Sequence, residues 1–333
     1  MSVIDKRRPE GHGGVTILEV GLNAAIVSVA DDQPRILTLR PDGQMPKTDD
    51  LPHGLYLPSK HLTLDGGLRS WVSTQTGLTL GYVEQLFTFG EQAMQGRLGE
   101  SGPQTISIGY LALTRHADDQ PLTGGHWRSW YEFFPWEDWR DGKPRVLAAE
   151  IEPRLRRWIE GPANGHTPVE RAERLRINFG LDGGNWDEEK VQERFDIMVE
   201  AGLLPEAKSE ATDSAAPDTY VWAGESLTRH HRRILATAIG RLRAKIKYRP
   251  VVFELMPADF TLFELQKTVE AILGSRLHKQ NFRRLVEAAG LVDTTGEVRN
   301  HTGGRPAKLY RFRREVLLER PAPGVRVRAG AAH

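Results

Sequence analysis

Residues Thr261 to Phe312 read TLFELQKTVEAILGSRLHKQNFRRLVEAAGLVDTTGEVRNHTGGRPAKLYRF. Thr261 stands as an N-cap with Glu264 three residues on, a capping box ahead of the apolar series Leu262, Leu265, Val269 and Ile272. Gly274 stops that helix. A second helix, near His278 to Ala289, keeps Phe282, Leu285, Val286 and Ala289 on one side. That leaves Lys279 with Arg283, and Gln280 with Arg284, as i,i+4 pairs elsewhere on its surface. Gly290 supplies its C-cap. Leu291-Val292 and Lys308 to Phe312 have the β-branched, aromatic and alternating character of two strands. The segment between them is too polar to pack and carries Gly303-Gly304-Arg305-Pro306. The order is helix, recognition helix, wing.

A winged helix-turn-helix module lays its second helix in the major groove of duplex DNA. Lys279, Gln280, Asn281, Arg283 and Arg284 are therefore the expected base readers and phosphate clamps, joined by Lys308 on the wing. Arg305 is the expected minor-groove residue, because flanking glycines let the backbone approach and a guanidinium suits a narrow A·T groove. Alone, a basic helix is usually a solvated face and a Gly-Gly pair only a turn. Their ordered combination on one periodic frame carries the reading.

Charge agrees with it. The formal net of +1 over 333 residues divides unevenly: residues 225–333 hold 22 Lys+Arg against 10 Asp+Glu, and the remainder holds 23 against 34. The positive field sits on the portion with the winged helix. Hydrophobic content of 39% and a mean hydropathy of −0.46 suit a soluble chain able to bury two globular cores, with no membrane-spanning run. The absence of cysteine excludes disulfides, thiol catalysis and thiolate metal sites, and with no targeting segment near Met1 the expected location is the cytoplasm.

The front of the chain is rich in strands, expected at Val15 to Gly21, Asn23 to Ala30, Arg35 to Leu39, Tyr82 to Phe89 and Gln104 to Thr114. Asp31-Asp32-Gln33-Pro34 forms a turn, and Leu68, Trp71, Val72 and Gln75 fall on helical spacing before Gly77. This is an α+β pattern. The aromatics from Trp127 to Trp139 are expected in core and interface, with stacking on a ligand base as the alternative.

QTGL, followed by GYVEQLFTFG and TISIGYLALT, resembles the end of a Nudix box and its two following strands. The run from Arg241 to Phe312 is similar, nearly position for position, to the Nudix-related transcriptional regulators of bacterial NAD metabolism (NrtR-like), and the front domain looks most like the NadQ type. The resemblance implies a Nudix-like α/β/α sandwich in front of the winged helix. It also implies an adenine nucleotide effector such as NAD, ADP-ribose or ATP. On that frame Tyr82, Glu84, Phe87 and Phe89 lie on the strand that would line the effector cleft, and Arg97 follows in the loop.

Nudix hydrolysis needs carboxylates that hold Mg²⁺ on a pyrophosphate, in a box of G, five residues, E, seven residues, REUxEExGU. Counting back from Gly77-Leu78, the Arg-Glu pair falls on Ser70-Trp71, the Glu-Glu pair on Thr74-Gln75, the upstream Glu on Leu62 and the first Gly on Tyr56. The box is degenerate, so no catalytic residue, catalytic cofactor or metal is expected. Adjacent His230 and His231 diverge on a helix and are expected to be surface or packing residues.

Four segments follow: an effector-sensing domain at 1–142, a helical insertion and linker at 143–224, a connector helix with the winged helix at 225–320, and a tail at 321–333. Thr167-Pro168-Val169-Glu170 marks one helix start within the insertion, and Ile234, Ile239, Leu242 and Ile246 form the connector's packed stripe. The expected protein is a transcriptional repressor of NAD synthesis or salvage genes, a homodimer on a palindromic operator, with no membrane partner. Two other classes remain. A nucleotide pyrophosphatase with an appended nucleic-acid module would need the missing carboxylates, and an RNA-binding adaptor would need exposed stacking aromatics.

Overall fold

Apolar residues alternate with polar or small ones from Leu18 to Asn23 and run unbroken from Ala24 to Val27, and Leu18–Ala30 forms β1, the central strand of the larger sheet. In this computed structural model the described residues are 18–40, 48–90, 104–116, 122–162, 165–207, 222–228, 230–299 and 306–316. The other elements of the front sheet are β2 (Gln33–Thr38), β3 (His53–Leu55), β4 (Tyr82–Gly90), β5 (Gln104–Leu113) and β6 (His126–Ser129). Their order is β4-β5-β1-β2-β6, with β3 also paired to β1. β1 and β5 run parallel and the other pairs antiparallel. Asp31 and Asp32 both have positive φ, which gives the β1–β2 hairpin the backbone twist of a two-residue type I′ turn.

Period-two alternation divides the sheet into two faces. Leu22, Ala24, Ile26, Ile108, Tyr110 and Ala112 pack against Leu68 and Val72 of α1 (Leu64–Thr76). Ala25, Val27, Leu111 and Leu113 point the other way, into a core shared with α5 (His231–Tyr248). The result is the α/β/α sandwich, but its second helical layer comes from the connector rather than from the first 142 residues. Gly109 permits this closeness, since a Cβ there would lie 3.1 Å from Cγ2 of Ile234 on α5.

The insertion contributes α2 (Glu152–Glu160), α3 (Pro168–Phe179) and α4 (Val191–Glu200). Thr167 and Glu170 form the expected capping box. One buried cluster runs without a break from Ala25 through Phe134, Phe195 and Ile239 to Val286, so the packing joins front sheet, insertion and reader, while a second core lies between the sheet and α1.

The C-terminal module comprises β7 (Asp259–Phe260), α6 (Leu262–Leu273), α7 (Lys279–Ala289), β8 (Val292–Arg299) and β9 (Ala307–Phe312), in sheet order β7-β9-β8. The Thr261–Glu264 capping box forms, and Gly274 and Gly290 adopt the left-handed conformation at the two helix ends. Three expectations are corrected. The strands expected at 15–21 and 23–30 are one continuous strand from Leu18, because parallel pairing with β5 carries straight through Leu22 and Asn23. β8 extends to Arg299: a register shift and the positive φ of Gly296 let Val298 and Arg299 rejoin the ladder opposite Lys308 and Ala307. The connector helix starts at His231 rather than near Leu227. The wing tip, with Arg305, and the tail at 321–333 lie outside the described residues, as does Arg97.

Candidate DNA-reading surface and effector cavity

α7 is held by one narrow apolar stripe. Phe282 and Val286 are buried, whereas Lys279, Gln280, Asn281, Arg283 and Arg284 are all exposed. Arg284 Nη2 donates to Asn281 Oδ1 at 3.0 Å, and Arg283 lies 3.7 Å from Glu287 one turn on. Both contacts are between exposed groups, worth a few tenths of a kcal/mol, and would yield to a phosphate or base edge. Lys279 Nζ sits 6.0 Å from the ring centre of Phe263 on α6, an exposed aromatic beside the recognition helix. Lys308 is exposed on β9 opposite Val298. Arg299, not singled out from the sequence, donates to Glu264 at 2.6 Å and ties the wing to the first turn of α6.

The winged helix is clamped to the rest of the chain through a buried carboxylate. Glu137 accepts from Arg194 Nε at 2.7 Å and Nη2 at 2.8 Å, and from Arg243 Nη1 at 2.7 Å. Burial pushes the Glu137 carboxyl up, but the two guanidinium groups more than offset this and hold it below its ordinary value. Arg243, on α5, also donates to the carbonyls of Ile272 on α6 and Glu188 in the insertion. Tyr131 Oη donates to the Ala271 carbonyl, and the Trp139 N–H donates to Gly274 O. Front domain, insertion, connector and α6 thus meet at one point.

Of the residues expected to line an effector cleft, Tyr82 and Glu84 face α5. Tyr82 Oη donates to Glu84 Oε2 at 2.6 Å, and Lys245 Nζ donates to both. Burial, then the Glu84 carboxylate, pushes the Tyr82 hydroxyl well above its usual range. Phe89 is buried under Arg233, while Phe87 projects into solvent at the β4 bulge.

None of these four lines the cavity of about 350 Å³ that opens between the sheet and the start of α5. Its walls are Glu19, Gly21 and Asn23 of β1; Thr105 and Ser107 of β5; His53, Gly54 and Leu55 of β3; Trp71 of α1; and His230, His231 and Ile234. His231 Nδ1 accepts the Leu51 N–H at 3.1 Å, which puts the ring proton on Nε2, 3.0 Å from Asn23 Oδ1. The alternation Glu19, Gly21, Asn23 and Thr105, Ser107, Gly109 was the available signal. Small and polar residues occupy the face that turns apolar at Ala25 and Leu111, so α5 packs on one half of the sheet and leaves the other half open.

The positions of the degenerate box on α1 are used for packing. Trp71 Nε1 donates to the Leu55 carbonyl, Gln75 bridges the backbone N–H and carbonyl of His53, and Thr74 donates to Ser70 O. Leu62, at the position of the upstream glutamate, is 96% exposed. Among the described residues, no group of three or more His, Cys, Asp or Glu could hold a metal ion, and no helix is long and apolar enough to cross a membrane.

Residues 252–312 match the family model of the NrtR DNA-binding winged helix domain. The chain is 44% identical over 82 residues to the ADPR responsive transcriptional repressor NtrR of Acinetobacter baylyi, a match covering 25% of this chain and 32% of that relative. In structure, it is similar to Shewanella oneidensis NrtR at TM-score 0.53 and 18% identity, covering 89% of this chain and 95% of that one. The same protein complexed with a 27mer DNA aligns at TM-score 0.50 and 19% identity, covering 89% and 94%. Residues 252–312 form an NrtR-type DNA-binding winged helix domain, on a chain with the overall fold of NrtR.

Proposed function

We propose that this protein is a DNA-binding transcriptional repressor of NAD-metabolism genes whose Nudix-like front domain binds an adenine nucleotide of the ADP-ribose type without hydrolysing it. The observation that carries the reading is α7. Five exposed basic and amide side chains stand on a helix anchored by Phe282 and Val286, inside the domain that matches the NrtR reader. The Acinetobacter relative, an ADPR responsive transcriptional repressor, supports ADP-ribose as the effector and repression as the sense of regulation. Operator palindromy and a homodimer complete the proposal, with Lys279, Gln280, Asn281, Arg283, Arg284, Arg305 and Lys308 as the contacts.

The non-catalytic part of the reading is supported by α1, where Trp71, Thr74 and Gln75 hold the helix to itself and to β3 in place of carboxylates. α5 is the proposed route from ligand to reader. His230, His231 and Ile234 at its start line the cavity, and Arg243 near its end donates to Ile272 of α6. An effector that binds two dispositions of α5 unequally shifts DNA affinity by that difference. Fluorescence anisotropy on promoter DNA from NAD-biosynthesis genes, with and without ADP-ribose, NAD and ATP, tests the whole. Salt-sensitive specific binding altered by one of the three is the expected result. Absence of specific binding to any such promoter would refute it.

A further inference from the structure

We propose that the cavity between β1, β5 and the start of α5 is a pocket for a terminal ribosyl group, with the phosphates of the ligand held outside it. This deepens the reading of the front domain as the binder of an ADP-ribose-type nucleotide and rests on that reading. Among the described residues the wall contains no lysine or arginine, the side chains that would neutralise a phosphate, and it does contain the Glu19 carboxylate, which would repel one. A carboxylate facing a neutral polar cavity is instead suited to accept hydrogen bonds from the adjacent hydroxyls of a sugar.

The rest of the wall fits the same ligand. Thr105 and Ser107 place two hydroxyls on β5 beside Glu19 and Gly21, in register across the parallel pair. His53 Nδ1 donates to the Leu51 carbonyl at 2.9 Å, which leaves Nε2 as an acceptor. Leu55, Trp71 and Ile234 supply an apolar side for the C–H face of a ring. The Trp71 indole packs so closely on Gly54 that a Cβ there would fall 2.3 Å from it, and the indole N–H is donated to Leu55 O. The volume of about 350 Å³ is at the small end of ligand sites, which run from roughly 300 to 1,000 Å³.

Gly21 provides a plug. A Cβ built on it meets Ser107 Oγ at 3.6 Å and Thr105 Cγ2 at 3.8 Å, ordinary van der Waals distances, so Gly21→Val fills the pocket from a strand without a backbone clash. Titration calorimetry of the full chain with ADP-ribose, ADP and ribose 5-phosphate reads the result, with Glu19→Gln as a second variant that conserves shape. Gly21→Val should abolish ADP-ribose binding and Glu19→Gln weaken it at least tenfold. ADP, which lacks the terminal sugar, should bind more weakly than ADP-ribose and be insensitive to Glu19→Gln. DNA affinity without nucleotide should not change in either variant. Wild-type affinity for ADP-ribose in both variants would overturn the pocket while leaving the regulator reading intact. So would equal Glu19 dependence for ADP. Failure of the wild-type chain to bind ADP-ribose or ribose 5-phosphate would overturn the pocket and the effector reading together.

Discussion

Replacing Glu137 by glutamine keeps the shape of the side chain and removes the one anion between two fully buried guanidinium groups. Arg194 and Arg243 would then face each other across a neutral amide, and breaking a buried pair in this way costs about 3–5 kcal/mol. At about 2 °C per kcal/mol for a chain of this size, even the lower figure takes roughly 6 °C off the thermal midpoint. The pH dependence has a definite sign. The folded Glu137 carboxyl lies below its ordinary 4.5, so its contribution is complete above pH 4.5 and is lost as pH falls through the depressed folded value. The gap between wild type and Glu137→Gln in chemical denaturation should be full at neutral pH and shrink only below 4.5. Arg243 also holds the Ile272 carbonyl, so the variant should loosen α6 from the front domain and weaken any effect of nucleotide on DNA binding. A stability loss under about 1 kcal/mol, the range of an exposed pair, would show that this cluster does not join the four parts. A gap unchanged well below pH 4.5 would refute the charge argument.

Arg283→Ala and Arg305→Ala should each weaken specific operator binding by on the order of 1–3 kcal/mol, the worth of a base-reading contact, while circular dichroism stays unchanged. Full affinity in both variants would move the recognition surface away from α7 and the wing. Lys308→Ala, as a phosphate clamp, should weaken all DNA sequences alike and flatten the logarithmic salt slope by about one; a change confined to one operator position would make it a base reader. Incubation with ADP-ribose and Mg²⁺ or Mn²⁺ should yield no product at an enzymatic rate, and turnover that survives further purification would reveal a metal site built outside α1.

The reader was legible because its signals are local. A capping box, two left-handed glycines and a basic face on a short amphipathic helix all lie within a single run of sequence, and each forms as read. The cavity was not, because its wall draws on three strands and two helices from Glu19 to Ile234, and no single stretch carries its pattern. Tyr82 and Glu84 were singled out through the family resemblance, and their contact with Lys245, far along the chain, had no local signal. The Glu137 cluster was equally hidden: Arg194 and Arg243 lie far from Glu137 in the sequence, and only the tertiary fold buries the three together.

The decisive measurement is the affinity of the full chain for promoter DNA of an NAD-biosynthesis gene, by anisotropy at fixed salt, with and without saturating ADP-ribose. Specific binding that ADP-ribose changes by at least fivefold, the low end of a typical coupling free energy, is the predicted result. Specific binding indifferent to ADP-ribose, NAD and ATP would contradict it.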